Sequence, residues 1–274
     1  MHPIGLFDSG LGGLSVARVL FKRLPHEPLW VVGDTAHVPY GGRPLRQVRD
    51  FAMGLTQYLV DEGCRAVVMA CNISSAVALE DARLRFAVPV FGMVEAGARA
   101  AAIAGESGPI GVLATAGTVE SGAYTAAISA LRPGASVLEI PCPRFVPLVE
   151  SARWDSDEAR CAASDYATPL VEAGVDTVIL GCTHYPFLAK AIRAAFPYPI
   201  RLIDPADSVA ADLENVLDLS PASGPPVHRF EATGDLKAFS EAGSTLLSYP
   251  FVAAHCPVWD AAAAGGHPLA ASSR

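Results

Sequence analysis

The chain has 274 residues, 51% of them apolar and 18% charged, with 28 acidic side chains against 20 basic ones and a formal net charge of −8. That length and apolar content exclude a disordered or fibrous protein and suffice for a substantial core. The acidic balance argues against a broad grip on nucleic-acid phosphates, which needs clustered Lys and Arg.

No apolar run reaches the roughly 18 residues of a membrane span. The opening MHPIGLFDSG has neither the basic start nor the apolar stretch of a secretion signal. Six scattered cysteines, Cys64, Cys71, Cys142, Cys161, Cys182 and Cys256, form no C-x-x-C pair and lack the density of a disulfide scaffold. A cytoplasmic protein with free thiols is therefore expected.

In chain order, short apolar runs recur as IGLF (4–7), LWVVGD (29–34), AVVMAC (66–71), PVFGMV (89–94), PIGVLAT (109–115), SVLEIPC (136–142), TVILGC (177–182) and IRLID (200–204). They are rich in Val, Ile and Leu and lack strict polar alternation, the pattern of parallel strands buried on both faces. Most are separated by stretches of helical spacing. Leu14, Ala17, Phe21 and Leu24 make one apolar face, and Ala76, Leu79, Ala82 and Phe86 another. This alternation predicts an α/β fold with helices covering mostly parallel sheets.

A weak internal repeat suggests two similar lobes. IGLFDSGLGG (4–13) reads like IGVLATAGTV (110–119), and AVVMACNISSAV (66–77) like TVILGCTHYPFL (177–188), in the same order and at nearly the same offset. After Leu219 the composition shifts to SPASGPPV and then HRFEATGDLKAFSEAGSTLL. The final stretch, 261–274, is small, polar and expected to be disordered. None of this tail is assigned chemistry.

Ligands in open α/β sheets bind outside the carboxyl ends of strands. There the chain places Asp8 and Ser9 before a Gly-rich turn, Asp34 before a loop with Pro39, Tyr40 and Gly41, Cys71 with Asn72, Thr115 with Thr118, and Cys182 with Thr183 and His184. Cys71 and Cys182 each follow a strand and precede a predicted helix, whose N-terminus favours a thiolate. Ser74 is read as N-cap of the helix after Cys71.

Singly, each cysteine reads equally as a small buried hydrophobe. As a pair at equivalent places in two lobes, they suit inversion of a stereocentre. One group takes an α-proton from one face while the other delivers a proton to the opposite face. A thiol needs help to ionise at neutral pH. Asp8 is the candidate assistant in the first lobe and His184 in the second, although Asp8 also reads as a turn-former and His184 as a hydrogen-bonded loop residue.

Other site chemistries fit less well. Cys71, Cys182 and His184 lack a clear fourth zinc ligand. DSGLGGLS places Ser15 where a dinucleotide loop needs its third glycine, and no GK[ST] follows. A pyridoxal enzyme needs a Schiff-base lysine, but the three lysines, Lys22, Lys190 and Lys237, all lie away from strand ends. No metal and no cofactor is expected.

The stretches IGLFDSGLGGLSV, GDTAHVPYG, MACNISSAVALE, GMVEAGARAA, IGVLATAGTVESGAY, CPRFVPLVE, DTVILGCTHYPFL and FEATGD, spanning about 4–240, together resemble the cofactor-independent glutamate racemases. The resemblance implies interconversion of L- and D-glutamate, with D-glutamate supplying peptidoglycan synthesis, and commonly a homodimer. It makes Cys71 and Cys182 the catalytic acid/bases, with Asp8 and His184 assisting and Glu150 supporting His184. The competing reading of Glu150 is an ordinary helix-surface carboxylate.

By the same resemblance, Asp8, Ser9, Tyr40, Gly41, Asn72, Ile73, Thr115, Thr118, Thr183 and His184 match substrate-binding positions. The resemblance also implies a discontinuous first lobe, 1–97 plus 208–260, with the second lobe, 98–207, inserted, and the active site between two pseudo-twofold-related lobes.

The chain departs from the family pattern at Ile73, where Thr is usual and a side-chain donor is lost, with Ser74 or Ser75 as substitutes. Ala96 stands where Pro is frequent. The alternatives are racemisation of a related acidic amino acid such as aspartate, or a two-lobe binding protein without catalysis. Neither nucleic acid nor membrane is an expected partner.

Overall fold

A computed structural model describes residues 2–104, 108–219 and 225–260. The tail assigned to 261–274 lies outside the described residues.

Eight strands form where the apolar runs lie: β1 (Ile4–Asp8), β2 (Leu29–Gly33), β3 (Ala66–Met69), β4 (Val90–Gly92), β5 (Ile110–Ala114), β6 (Val137–Pro141), β7 (Thr177–Gly181) and β8 (Arg201–Ile203). Two more, β9 (Arg229–Ala232) and β10 (Ala254–His255), come from the stretch after Leu219. Every pairing is parallel. The first sheet runs β10-β9-β2-β1-β3-β4 and the second β6-β5-β7-β8. Without the two added edge strands, both sheets have the same order, so the sequence repeat is a repeat of topology, and Cys71 and Cys182 follow equivalent strands, β3 and β7.

Alternation along the strands sorts side chains onto two cores in each lobe. In the first sheet Ile4, Leu6, Val31 and Val68 face helices α1 (Gly13–Arg23), α10 (Pro205–Val216) and α11 (Leu236–Leu247). Phe7, Trp30, Val32, Val67 and Met69 pack on the other side, against α2 (Leu45–Asp61) and α3 (Asn72–Arg85). In the second sheet Leu113, Val178 and Leu180 face α8 (Asp157–Glu172) and its neighbour α7 (Phe145–Glu150). Ile110, Val112, Ala114 and Ile179 face α4 (Met93–Ala104) and α6 (Ala123–Leu131).

Helix α4 joins the lobes. Its Met93 and Ala96 belong to the first core, and its Val94, Ala98 and Ala101 to the second. The remaining helices are α5 (Ala116–Glu120) and α9 (Ala189–Ala194), and 3₁₀ turns occupy Tyr185–Leu188 and Pro257–Trp259.

One expectation at a helix start is corrected. Cys71, with extended φ/ψ, occupies the N-cap of α3, and Ser74 is the third residue inside the helix. The helix begins sooner because only Ala70 and Cys71 separate it from β3.

Helix α11 approaches β2 so closely that a Cβ on Gly33 would lie 2.6 Å from Phe239 Cε2 and 3.0 Å from its Cζ. Phe239 is buried and has little room to yield. Gly33→Ala is expected to lower stability by about 1–3 kcal/mol. Urea unfolding should show this as a lower midpoint at an unchanged slope. An unmoved midpoint would mean that the helix shifts at no cost.

Candidate active site

The carboxyl ends of both sheets face one nearly closed cleft, with a free volume of about 30 Å³. Its lining includes Ser9, Tyr40, Gly41, Cys71, Asn72 and Ile73 from the first sheet's loops, and Thr115, Thr118, Cys182, Thr183 and His184 from the second's. That is space for little more than a water molecule, so a larger ligand enters only when the two sides part.

Of the residues singled out from sequence, Asp8 and Glu150 stand just behind this lining. Asp8 is 1% exposed and contacts Thr183, and Glu150 contacts His184. Val38, Pro39, Val146 and Gly181 also line the cleft and were not anticipated. Val38 and Pro39 belong to a loop already marked by its position after β2, whereas apolar Val146, one helical turn before Glu150, carries no chemical signal.

The two halves are joined by hydrogen bonds that cross between lobes. The Thr183 hydroxyl donates to Asp8 Oδ1 (3.1 Å), and the Ser15 hydroxyl to the Thr183 carbonyl (2.8 Å). The Gly117 N–H donates to the Gly41 carbonyl (2.9 Å), and the Tyr124 hydroxyl to Asn72 Oδ1 (2.7 Å). The glycines permit the approach. A Cβ on Gly12 would fall 2.2 Å from Thr183 Oγ1, and one on Gly41 2.8 Å from Thr115 Cβ.

Tyr124 also determines how Asn72 presents itself. With Oδ1 engaged, the buried Nδ2 has no protein partner. A buried donor left unpaired is costly, and this one belongs to a residue of the cleft lining, where an anionic ligand would satisfy it.

The thiols have different surroundings. Cys71 is nearly buried, and burial, with the negative charge of Asp8 second, pushes its thiol up to about 12. The Ser74 N–H opposes that rise. Asp8 is itself raised by burial, against the lowering effects of His184, the Gly10 N–H and the Thr183 hydroxyl. The Gly10 N–H donates to Asp8 Oδ2 (3.0 Å).

On the other side, Cys182 Sγ lies 3.6 Å from His184 Nδ1, and His184 Nε2 lies 2.6 Å from Glu150 Oε1. Burial works against a charged imidazole, but Cys182 and Glu150 outweigh it and hold the pKa of His184 above the ordinary range. Glu150 thus has a specific partner rather than a plain helix surface.

Several hydroxyls of the cleft are engaged within the protein. The Tyr40 hydroxyl donates to Asp34 Oδ2 (2.5 Å), so its proton is committed inside the protein. The Thr115 and Thr118 hydroxyls lie 2.9 Å apart and share a hydrogen bond. Ser75, considered as a substitute for the donor missing at Ile73, donates to the Asn72 carbonyl (3.0 Å) and accepts from the Val94 N–H (3.3 Å). Ile73 itself is buried against Tyr40, Val48 and Cys71.

Known proteins share this architecture. The model of the Asp/Glu/hydantoin racemase family matches residues 14–213. A glutamate racemase of Acidothermus cellulolyticus is 45% identical over 250 residues, covering 89% of this chain and 95% of that protein. A glutamate racemase isoform from Bacillus anthracis superposes with a TM-score of 0.88 at 32% identity, over 93% of this chain and 97% of that one. The glutamate racemase of Francisella tularensis, solved in complex with D-glutamate, superposes with a TM-score of 0.84 at 30% identity, over 93% and 95%.

The influence of Asp8 on Cys71 can be measured directly. In a Cys182→Ser background, iodoacetamide labelling of Cys71 at pH 8, followed by peptide mass spectrometry, should be slow. Asp8→Asn removes a charge that holds the thiol protonated and should speed labelling severalfold. An unchanged rate would mean that burial alone controls Cys71.

Proposed function

The chain belongs to the Asp/Glu/hydantoin racemase family, and on that premise we propose that its cleft inverts glutamate by a two-thiol acid/base mechanism. The chain is an amino-acid racemase, an isomerase that acts on glutamate. The observation that carries the mechanism is that Cys71 and Cys182, at equivalent strand ends in the two sheets, line one cleft.

In this mechanism one cysteine, as thiolate, removes the α-proton. The electron pair of the broken C–H bond stays on the α-carbon as a carbanion-like centre, and the other cysteine, as thiol, protonates the opposite face. The enzyme ends with the two protonation states exchanged, and the reverse reaction restores them. The high pKa of the Cys71 thiol in the free cleft makes it the acid at the start of one direction. Cys182, beside His184, then removes the proton, and Glu150 steadies the imidazole from behind. For the other enantiomer the thiols trade roles.

The α-proton is weakly acidic, so stabilisation of the carbanion-like state carries much of the barrier reduction. Asn72 Nδ2, lacking a protein partner, is suited to a substrate carboxylate. Ser9, Gly41, Thr115, Thr118 and Thr183 offer further polar groups around it, and Asp8, behind the lining at Thr183, is the candidate to face an ammonium. Tyr40 serves as a wall, its hydroxyl being engaged elsewhere.

We further take the lobes as 1–97 plus 208–260 and 98–207, the protein as a cytoplasmic homodimer, and its D-glutamate as feeding peptidoglycan synthesis.

Deuterium incorporation tests the reaction. In D₂O, both L- and D-glutamate should acquire α-deuterium and equilibrate, faster than either enantiomer of aspartate. Cys71→Ser and Cys182→Ser should each remove most racemisation and impair the two directions unequally. Near-normal turnover in either variant would remove the two-thiol assignment, and absence of exchange by the folded protein would remove racemisation of this kind.

Ile73 gives a second test. Ile73→Thr restores a side-chain donor at the cleft and should lower KM for glutamate by up to about tenfold, with a smaller change in kcat. An unchanged KM would mean that the substrate makes no use of this position.

A further inference from the structure

The loop that brings Tyr40 and Gly41 to the cleft is tied to a carboxylate that the proposed reaction does not use. Asp34 follows β2 and is fully buried. Four side chains from separate parts of the chain converge on it. The Tyr40 hydroxyl donates to Oδ2 (2.5 Å), the Thr233 hydroxyl to Oδ1 (2.6 Å) and the Trp259 indole N–H to Oδ1 (2.8 Å), while His37 Nδ1 lies 2.9 and 3.0 Å from the two oxygens. A buried carboxylate is tolerated when its lone pairs are matched by donors. Thr233 and Trp259, two of these four groups, come from the segment after Leu219 and were not singled out as candidates.

That segment is held firmly. Thr233 follows β9, whose register with β2 places Ala232 opposite Gly33. Its hydroxyl also accepts from the Ala36 N–H (3.1 Å), and the Gly234 N–H donates to Thr35 Oγ1 (2.9 Å). Trp259 closes the last 3₁₀ turn and packs its ring on Phe51 and edge-on to His37, each at 5.5 Å between centroids. A Cβ on Gly54 would lie 2.8 Å from the Trp259 ring, so helix α2 also bounds it.

We propose that Trp259 and Thr233 are positioning residues: by fixing the Asp34 carboxylate they fix the Tyr40 hydroxyl, and so hold the first-lobe wall of the substrate cleft in place. The inference rests on the racemase reading for its kinetic consequence and on geometry alone for its structural one.

Trp259→Phe keeps an aromatic ring and removes the N–H. Thr233→Val keeps the shape and removes the hydroxyl, and it carries the test if the first variant fails to fold. In the full-length protein both should speed backbone hydrogen exchange across residues 38–43. Both should raise KM for each glutamate enantiomer about tenfold, with kcat changed much less. In a Tyr40→Phe background, Trp259→Phe should raise KM no further.

Unchanged exchange would overturn the proposal. So would an unchanged KM, or additive effects of Tyr40→Phe and Trp259→Phe. If the unmodified protein fails to turn over glutamate, the functional reading fails, and the exchange measurement still decides whether this end of the chain holds the loop.

Discussion

The whole arrangement depends on two sheets meeting at their carboxyl ends. Parallel strands direct their following loops to one edge, and neither lobe alone builds a cavity there. The hydrogen bonds of Thr183 to Asp8, Ser15 to Thr183, Gly117 to Gly41 and Tyr124 to Asn72 convert two sheet edges into one cleft. Each carries a residue from one lobe to a site residue of the other, so the contacts that close the cleft also orient what lines it. Asn72 is the clearest case: a tyrosine of the second lobe decides which end of its amide remains unpaired.

Within this near-symmetric frame the two thiols are unequal. Cys71 caps a 14-residue helix, a setting that favours a thiolate, yet burial and the neighbouring Asp8 carboxylate win and leave its pKa near 12. Cys182 precedes only a short 3₁₀ turn, but it has an imidazole beside it and a carboxylate behind that imidazole. The repeated fold supplies two cysteines at matching places, and the sequence immediately after each gives it a different electrostatic partner. In the proposed mechanism a reversible proton transfer needs one group loaded, and the raised Cys71 thiol suits that part.

The parts legible in the sequence were those governed by local pattern. β1, β2, β3, β5 and β7 are buried throughout, so each is written as an unbroken apolar run. β9 reads Arg-Phe-Glu-Ala because it lies near the sheet's edge and exposes part of its length, and β10 is only two residues long, so neither leaves that mark. The candidate residues clustered as expected because strand ends in this topology converge. Their partners were not legible. Tyr124, Thr233 and Trp259 reach the site region through single hydrogen bonds across 52, 199 and 225 residues of chain, and no spacing rule encodes such contacts. The acceptor of the Tyr40 hydroxyl was illegible for the same reason: it is Asp34, six residues earlier, across a loop whose shape no periodicity describes.

The closed cleft must part for a charged amino acid to enter, and the contacts set the scale of that motion. A typical intramolecular hydrogen bond contributes about 1 kcal/mol net, because water replaces it on opening. The four cross-lobe bonds are therefore worth only a few kcal/mol together. The apolar packing of α4 differs, since its buried side chains belong to both cores and separating them would expose hydrocarbon. Separation at the mouth thus costs less than separation at α4. In the proposed binding mode, a substrate carboxylate paired with the Asn72 donor would add to the bonds already spanning the cleft, so that binding and closure would reinforce one another.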